Sequence, residues 1–182
     1  MKIYVTGLGV VSGIGLGVAE NIASLRKHQH GMRKVTLFPT ELDVPVSEVK
    51  YSNEELKRLL SLDIQKTFSR TALLGMLAAR EAVDDARLDL NTLRVGLISS
   101  TSVGGMDLSE HFYNAFKKDN RKGRLREVIS HDCGASTEMI ADYLKVNDFV
   151  TTISTACSSA ANAIMLGARM IRNDQLDAAI VG

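Results

Sequence analysis

One cysteine in this chain stands where a reactive thiol would be useful. Cys157 lies within TTISTACSSAANAIMLGARMI (151–171), between a β-branched run and a small-residue run with helical character. Its neighbours Ala156, Ser158, Ser159, Ala160 and Ala161 leave room for a substrate to approach the sulfur. The spacing predicts a strand over 149–154 and a helix from Ala156 to Arg172, with Ser154 or Thr155 as its cap. Cys157 would then occupy the first helical turn, where backbone N–H groups lack internal partners and the helix dipole favours negative charge. Both effects favour a thiolate, and the same N–H groups could hold an oxyanion while the thiolate attacks a carbonyl. A buried structural cysteine in a tightly packed core helix fits the same composition, so the residues alone leave both readings open.

The remaining candidates carry less. Cys133, in HDCGAS, reads as a structural thiol. No CxxC pair exists, so neither a zinc site nor a disulfide framework is expected. His28, His30, His111 and His131 lie in no catalytic motif and read as solvated or structural. The glycines of GLGVVSGIGLG (7–17) miss the GxGxxG spacing, and no GK[ST] follows, so they read as turn and packing residues. KKDNRKGRLR (117–126) holds six basic residues and one acidic residue, which suits a solvated loop or a surface for an acidic partner.

The elements that must position Cys157 alternate between strand and helix. IYVT (3–6) reads as a buried strand before the glycine-rich turn, with a helix over 18–27 and an irregular stretch over 28–51. Ser52 with Glu55 is a capping-box pattern opening the next helix. A long helix over 68–87 places Ala72, Leu73, Met76, Leu77, Ala79 and Val83 on one face. RVGLISS (94–100) is a strand, followed by a turn at SVGG, a helix over 108–118, a polar loop and a helix over 136–144. LDAAIVG (176–182) is a final apolar strand. Such alternation predicts an α/β fold with a mostly parallel sheet covered by helices.

The 182 residues are 45% hydrophobic and 24% charged, with a formal net charge of +1. That is ordinary for a globular domain and gives no bulk electrostatic case for nucleic acid or an anionic membrane. No leader pattern opens the sequence and no apolar stretch is long enough to span a bilayer. The expected setting is a reducing, cytoplasmic one. Ending on an apolar strand suggests the first part of a longer protein.

Four segments carry a family resemblance. STACSSAANAI, preceded by VTTI, resembles the active-site segment of elongating β-ketoacyl-acyl-carrier-protein synthases. KIYVTGLGVVSGIG, SSTSVGGMD and LDAAIVG are similar to other segments of that family, in the same order. The resemblance implies the first half of a thiolase-like α/β/α/β/α fold, with residues 1–182 as an N-terminal ketosynthase domain. It implies that Cys157 takes an acyl group from acyl carrier protein, as a thioester delivered on phosphopantetheine. Decarboxylation of malonyl carrier protein then yields an enolate that attacks this thioester. The two histidines assisting that step, and one oxyanion-hole N–H, would come from a second half, so residues 1–182 alone are expected not to condense substrates. Val103, Gly105 and Met106 would line or gate the acyl pocket, and Lys66 and Arg70 would bind the carrier. The family needs no cofactor and pairs FVTTIS (149–154) with its twin in a homodimer. Three alternatives remain: a coenzyme A-dependent thiolase-fold acyltransferase, a Cys–His hydrolase, and a non-catalytic ketosynthase partner subunit.

Overall fold

The computed structural model describes residues 2–182. Its centre is a three-stranded parallel sheet. Strand β5 (Val95–Ser100) lies between β6 (Phe149–Ile153) and β7 (Ala178–Val181). Ser100 pairs with Ile153 on one side, and Ile98 with Val181 on the other. Val95 to Ile98 are buried without a break, as a strand covered on both faces requires.

The two faces follow the period-2 alternation of strand side chains. Val95, Leu97, Ala178 and Ile180 join a core with Leu56 of α2 (Asn53–Leu59), Leu73 and Met76 of α3 (Arg70–Ala86), and Ile140 of α6 (Cys133–Leu144). Ile98, Ala179 and Val181 face the other way, toward α7 (Ser159–Arg172). Gly167 makes that approach possible: a Cβ there would lie 2.9 Å from Val181 and 3.1 Å from Ala179. The parallel, helix-covered sheet expected from the sequence is thus present.

Local signals explain several helix starts. Ser52 and Glu55 form the reciprocal capping box at α2. Ser69 caps α3, its hydroxyl accepting the Ala72 N–H at 3.2 Å. The glycine-rich segment folds into a tiny antiparallel hairpin, β1 (Val11–Ser12) with β2 (Gly15–Leu16), before α1 (Val18–Arg26). Glu81 of α3 clamps this region by accepting the N–H groups of Val10 (3.0 Å) and Val18 (2.7 Å), while Asp85 accepts that of Leu8 (2.9 Å).

The structure differs from the sequence reading in five places. Residues 3–6 are not a strand: they have no ladder partner, and Tyr4 and Val5 are 72% and 79% exposed. An apolar β-prone segment becomes a strand only when another backbone pairs with it. The stretch read as irregular contains a short ribbon, β3 (Met32–Arg33) with β4 (Val46–Ser47). The basic polar loop after α4 (Met106–Lys118) holds a one-turn helix, α5 (Arg126–Ile129), and α6 starts at Cys133 rather than Ser136. Finally, α7 starts at Ser159, and Ala156–Ser158 form a separate 3₁₀ turn ahead of it.

Arg94 fastens the base of the sheet. Its guanidinium donates to Asp177 (2.7 Å) and Asp174 (2.8 Å), and its N–H donates to Asp177 (2.8 Å), joining the start of β5 to the start of β7. These hydrogen bonds hold the Asp177 carboxyl down at about 2. A depressed carboxylate contributes stability above its unfolded pKa, near 3.9, and loses it as pH falls through the folded value. Urea unfolding followed from pH 5 down to pH 2 should therefore show a decline below about pH 4. Arg94→Met should flatten that decline relative to the wild-type chain; an identical acid limb in both would mean the clasp does not contribute.

Candidate active site

The C-terminal ends of β5 and β6 lie side by side in the sheet, so the loops leaving them emerge at one edge. The loop after β5 is 101–105, carrying Val103 and Gly105 up to Met106 at the start of α4. The connection after β6 is 154–158, carrying Cys157. In parallel sheets this edge is where ligands are met, and two of the expected site segments converge there.

Cys157 sits in the 3₁₀ turn immediately before α7, one turn earlier than expected, and its residue is exposed. The turn is sharp because Ala156 takes a left-handed conformation, φ 53°. For a residue with a Cβ that costs about 1–2 kcal/mol. Hydroxyl groups offset the cost. Ser158 Oγ donates to the Thr155 carbonyl at 2.8 Å, and Ser159 Oγ donates to the Ala156 carbonyl at 2.8 Å. Ser159 Oγ also accepts the Thr155 N–H at 2.8 Å. At about 0.5–1.5 kcal/mol each, three such bonds match the strain of the turn. Asn162, one helical turn on, donates to Thr155 Oγ1 at 2.9 Å and to Ser158 Oγ at 3.4 Å. The sequence reading treated Ser158 and Ser159 only as small, took Thr155 only as a possible helix cap, and passed over Asn162. The available signal was a cluster of side-chain hydroxyls within local reach of the backbone at a strand–helix junction.

The other expected site residues fall into two sets. Val103 (52% exposed) and Met106 (43% exposed) present side chains to solvent on the loop. Gly105 does not: it is buried, and a Cβ there would collide with the Ser130 carbonyl. Its contribution is close backbone packing, with its N–H directed at the His131 carbonyl. Cys157, Val103 and Met106 are all exposed, so the described residues form an open wall.

Lys66 and Arg70, expected on the carrier-docking surface, also part ways. Lys66 is exposed beside a cavity of about 630 Å³ that Phe68, Arg126, Ile129 and Tyr143 also line. Arg70 is half-buried and turned inward. Its guanidinium donates to the carbonyls of Tyr51 (3.0 Å) and Val49 (2.7 Å) and to Asn53 Oδ1 (2.9 Å). Burial pushes its pKa down, with the charges of Glu48 and Asp107 acting the other way. Arg70 is a strut between α3 and the segment 49–53 before it is a surface cation.

His111 and His131 have partners of their own. His131 Nδ1 lies 2.9 Å from Ser109 Oγ, and His111 Nδ1 lies 3.4 Å from the buried Glu127. Among the described residues, no hydrogen bond joins a histidine to Cys157. The arrangement therefore supplies an accessible sulfur on a pinned turn, at the amino end of a long helix, with backbone N–H groups nearby. A sulfur so placed is open to an electrophile.

Comparison with known proteins matches this arrangement to one family. The model of the β-ketoacyl synthase N-terminal domain covers residues 1–182. The chain belongs to the β-ketoacyl synthase family. Two curated relatives are the 3-oxoacyl-[acyl-carrier-protein] synthases 2 of Coxiella burnetii and of Staphylococcus aureus. Each is 27% identical across 100% of this chain, and the chain spans 45% of the length of each. Among solved structures, the ishigamide ketosynthase/chain length factor superposes with a TM-score of 0.87 at 29% identity, over 98% of this chain and 46% of that one. The ketosynthase ApeO, solved in complex with its chain length factor ApeC from Xenorhabdus doucetiae, shares the fold at a TM-score of 0.74 and 23% identity. The fold of this β-ketoacyl synthase domain is thus thiolase-like, as the sequence motifs implied, with the sheet and helices of an N-terminal half.

Exposure separates the two thiols of the domain. Cys157 is exposed and Cys133, the first residue of α6, is half-buried. Limiting iodoacetamide followed by peptide mapping should label Cys157 about tenfold faster than Cys133 or more. Equal rates would contradict the open placement of the turn. Ser159→Ala removes two of the three bonds that pin it and should lower the urea-unfolding free energy by about 1–3 kcal/mol.

Proposed function

We propose that this domain is the acyl-accepting half of a β-ketoacyl-acyl-carrier-protein synthase and that Cys157 is its nucleophile. The observation that carries the reading is the exposed sulfur on a strained, hydroxyl-pinned turn between β6 and α7, beside the loop leaving β5. A structural cysteine needs neither exposure nor a strained approach, whereas a nucleophile needs both access and a fixed direction.

In the first step the Cys157 thiolate attacks the carbonyl carbon of an acyl thioester on the phosphopantetheine arm of a carrier protein. The oxygen of the tetrahedral intermediate is held by the backbone N–H of Cys157 and by one N–H from a second half of the protein. The carbon–sulfur bond to the carrier then breaks, and the carrier leaves as a thiolate that takes a proton from solvent. The enzyme is left holding the acyl group on Cys157. In the second step malonyl carrier protein loses carbon dioxide, and the enolate carbon attacks the Cys157 thioester. A carbon–carbon bond forms and the Cys157 thiolate is released. Val103 and Met106 border the acyl chain, while Gly105 lets the loop settle against Ser130. No cofactor is needed, because the electron pair for the new bond comes from the decarboxylation itself.

The carrier docks at the start of α3, where Lys66 offers an exposed ammonium to an acidic partner. Arg70 supports that surface from beneath through its bonds to residues 49–53. The names of the curated relatives specify an acyl-carrier protein, which favours a carrier over coenzyme A as donor. The retained nucleophile argues against a purely structural partner subunit. Strand β6 is an edge of the sheet, and its open edge is suited to pairing with a second copy of itself in a homodimer.

Incubation with an acyl-carrier-protein thioester should add one acyl mass to the chain, mapped by peptide analysis to Cys157, and Cys157→Ala should abolish the gain. Acyl-coenzyme A should load more slowly. Absence of any acyl adduct, or an adduct on Cys133, would overturn the assignment.

A further inference from the structure

The loop 101–106 is tied to α3 by one carboxylate whose role the site does not explain. Asp107, the second residue of α4, accepts the backbone N–H of Arg70 at 2.8 Å through Oδ2. Arg70 is the first residue of α3, so this carboxylate lies at the amino ends of two helices. Both ends carry partial positive charge and unpaired N–H groups. The start of α4 has no side-chain cap, since Gly105 occupies the capping position. The second carboxylate oxygen, Oδ1, is buried and has no protein partner among the described residues. A buried, half-satisfied carboxylate is a costly way to stabilise a fold. It is a direct way to fix one backbone against another.

The remaining ties of the loop are local or run to residues 130–133, against which Gly104 and Gly105 pack closely. Thr101 Oγ1 accepts the N–H groups of Val103 and Gly104, both at 3.2 Å, which shapes the turn without anchoring it. The Gly105 N–H reaches the His131 carbonyl only at 3.4 Å. Toward α3 the anchor is Asp107. Arg70 in turn grips the carbonyls of Val49 and Tyr51. Movement at the start of α3 would thus reach Met106, the neighbour of Asp107 in the chain.

We propose that Asp107 is a positioning residue that sets the place of Val103 and Met106 over the acyl chain, and so the length of acyl group the site accepts. The acyl-selection part rests on the function proposed above; the mechanical tie between the loop and α3 does not. Asp107 acts through the backbone of the loop and touches no reacting atom.

Four variants test this. Asp107→Ala deletes the acceptor, whereas Asp107→Asn retains an oxygen able to take the Arg70 N–H. Arg70→Pro deletes the donor at a first helical position, which tolerates proline; Arg70→Ala, which also loses the guanidinium but keeps the N–H, is its reference. Two readouts are compared: amide hydrogen exchange across 101–106, and loading of Cys157 by carrier thioesters of stepped acyl length. Exchange in 101–106 should be about tenfold faster in Asp107→Ala than in the wild-type chain and about tenfold faster in Arg70→Pro than in Arg70→Ala, with Asp107→Asn within about twofold of wild type. Against the same references, Asp107→Ala and Arg70→Pro should broaden the range of acyl lengths loaded, and Asp107→Asn should keep the wild-type profile. Exchange in Asp107→Ala equal to wild type, with Arg70→Pro equal to Arg70→Ala, would overturn the tie, even with loading intact. Equal effects in all four variants would also overturn it, by showing general loosening. An altered loop with an unchanged length profile would overturn the selection role. A wild-type chain that loads no acyl group would overturn the proposed function and the selection role, while the exchange pattern would still judge the tie.

Discussion

Strand β5 is paired on both edges and covered on both faces, and that constraint organises the site. Its hydrogen bonds to β6 put Ser100 beside Ile153, so the chain leaves both strands at one level. A slip of one residue would turn Leu97 toward α7 and Ile98 toward the α3–α6 core, exchanging the faces of both. The register is therefore fixed by burial, and burial fixes where the loop 101–105 and the Cys157 turn meet. The Arg94 clasp to Asp177 and Asp174 reinforces the opposite end of the same strand. Cys157 is aimed by the strand ahead of it as much as by the helix after it.

The turn itself balances strain against local hydrogen bonds. A left-handed alanine is unfavourable, but it swings the chain sharply enough to leave residue 157 on the surface before α7 begins. Ser158, Ser159 and Asn162 hold the turn in that shape. Small side chains serve two ends here. They give access to the sulfur, and further along α7 Gly167 lets the helix settle onto Ala179 and Val181. A larger residue at either place would act on the same junction from opposite ends.

Helix α3 joins the parts that lie away from the sheet. Its first residue is held by Asp107 and bonded to residues 49–53, and its last turns hold the amino-terminal segment through Glu81 and Asp85. One face of the same helix supplies Leu73 and Met76 to the core. The apolar stripe that marks α3 as a core helix therefore also sets the rim of the site. Arg70 shows how this changes a residue's meaning. The family resemblance suggested a surface contact, but the neighbouring carbonyls draw its guanidinium inward.

The sequence by itself determined what local chemistry can specify. The Ser52–Glu55 box, the apolar period of 70–86, the β-branched run before Cys157 and the small residues after it all marked their elements, because capping and amphipathic spacing act within a few residues. Cys157 as the candidate thiol was legible for the same reason, whereas Val103 and Met106 were singled out by the family resemblance alone. Tertiary structure decided what depends on distant partners. Residues 3–6 have strand composition, yet they are not a strand, because a ladder needs a second backbone that no local pattern provides. The start of α7 moved from Ala156 to Ser159 because the hydroxyl bonds of the turn outweigh helix propensity there. Arg70 and Asp107, 37 positions apart in the chain, meet only through folding. Composition can propose a nucleophile, but the direction in which it points is set by long-range pairing and packing.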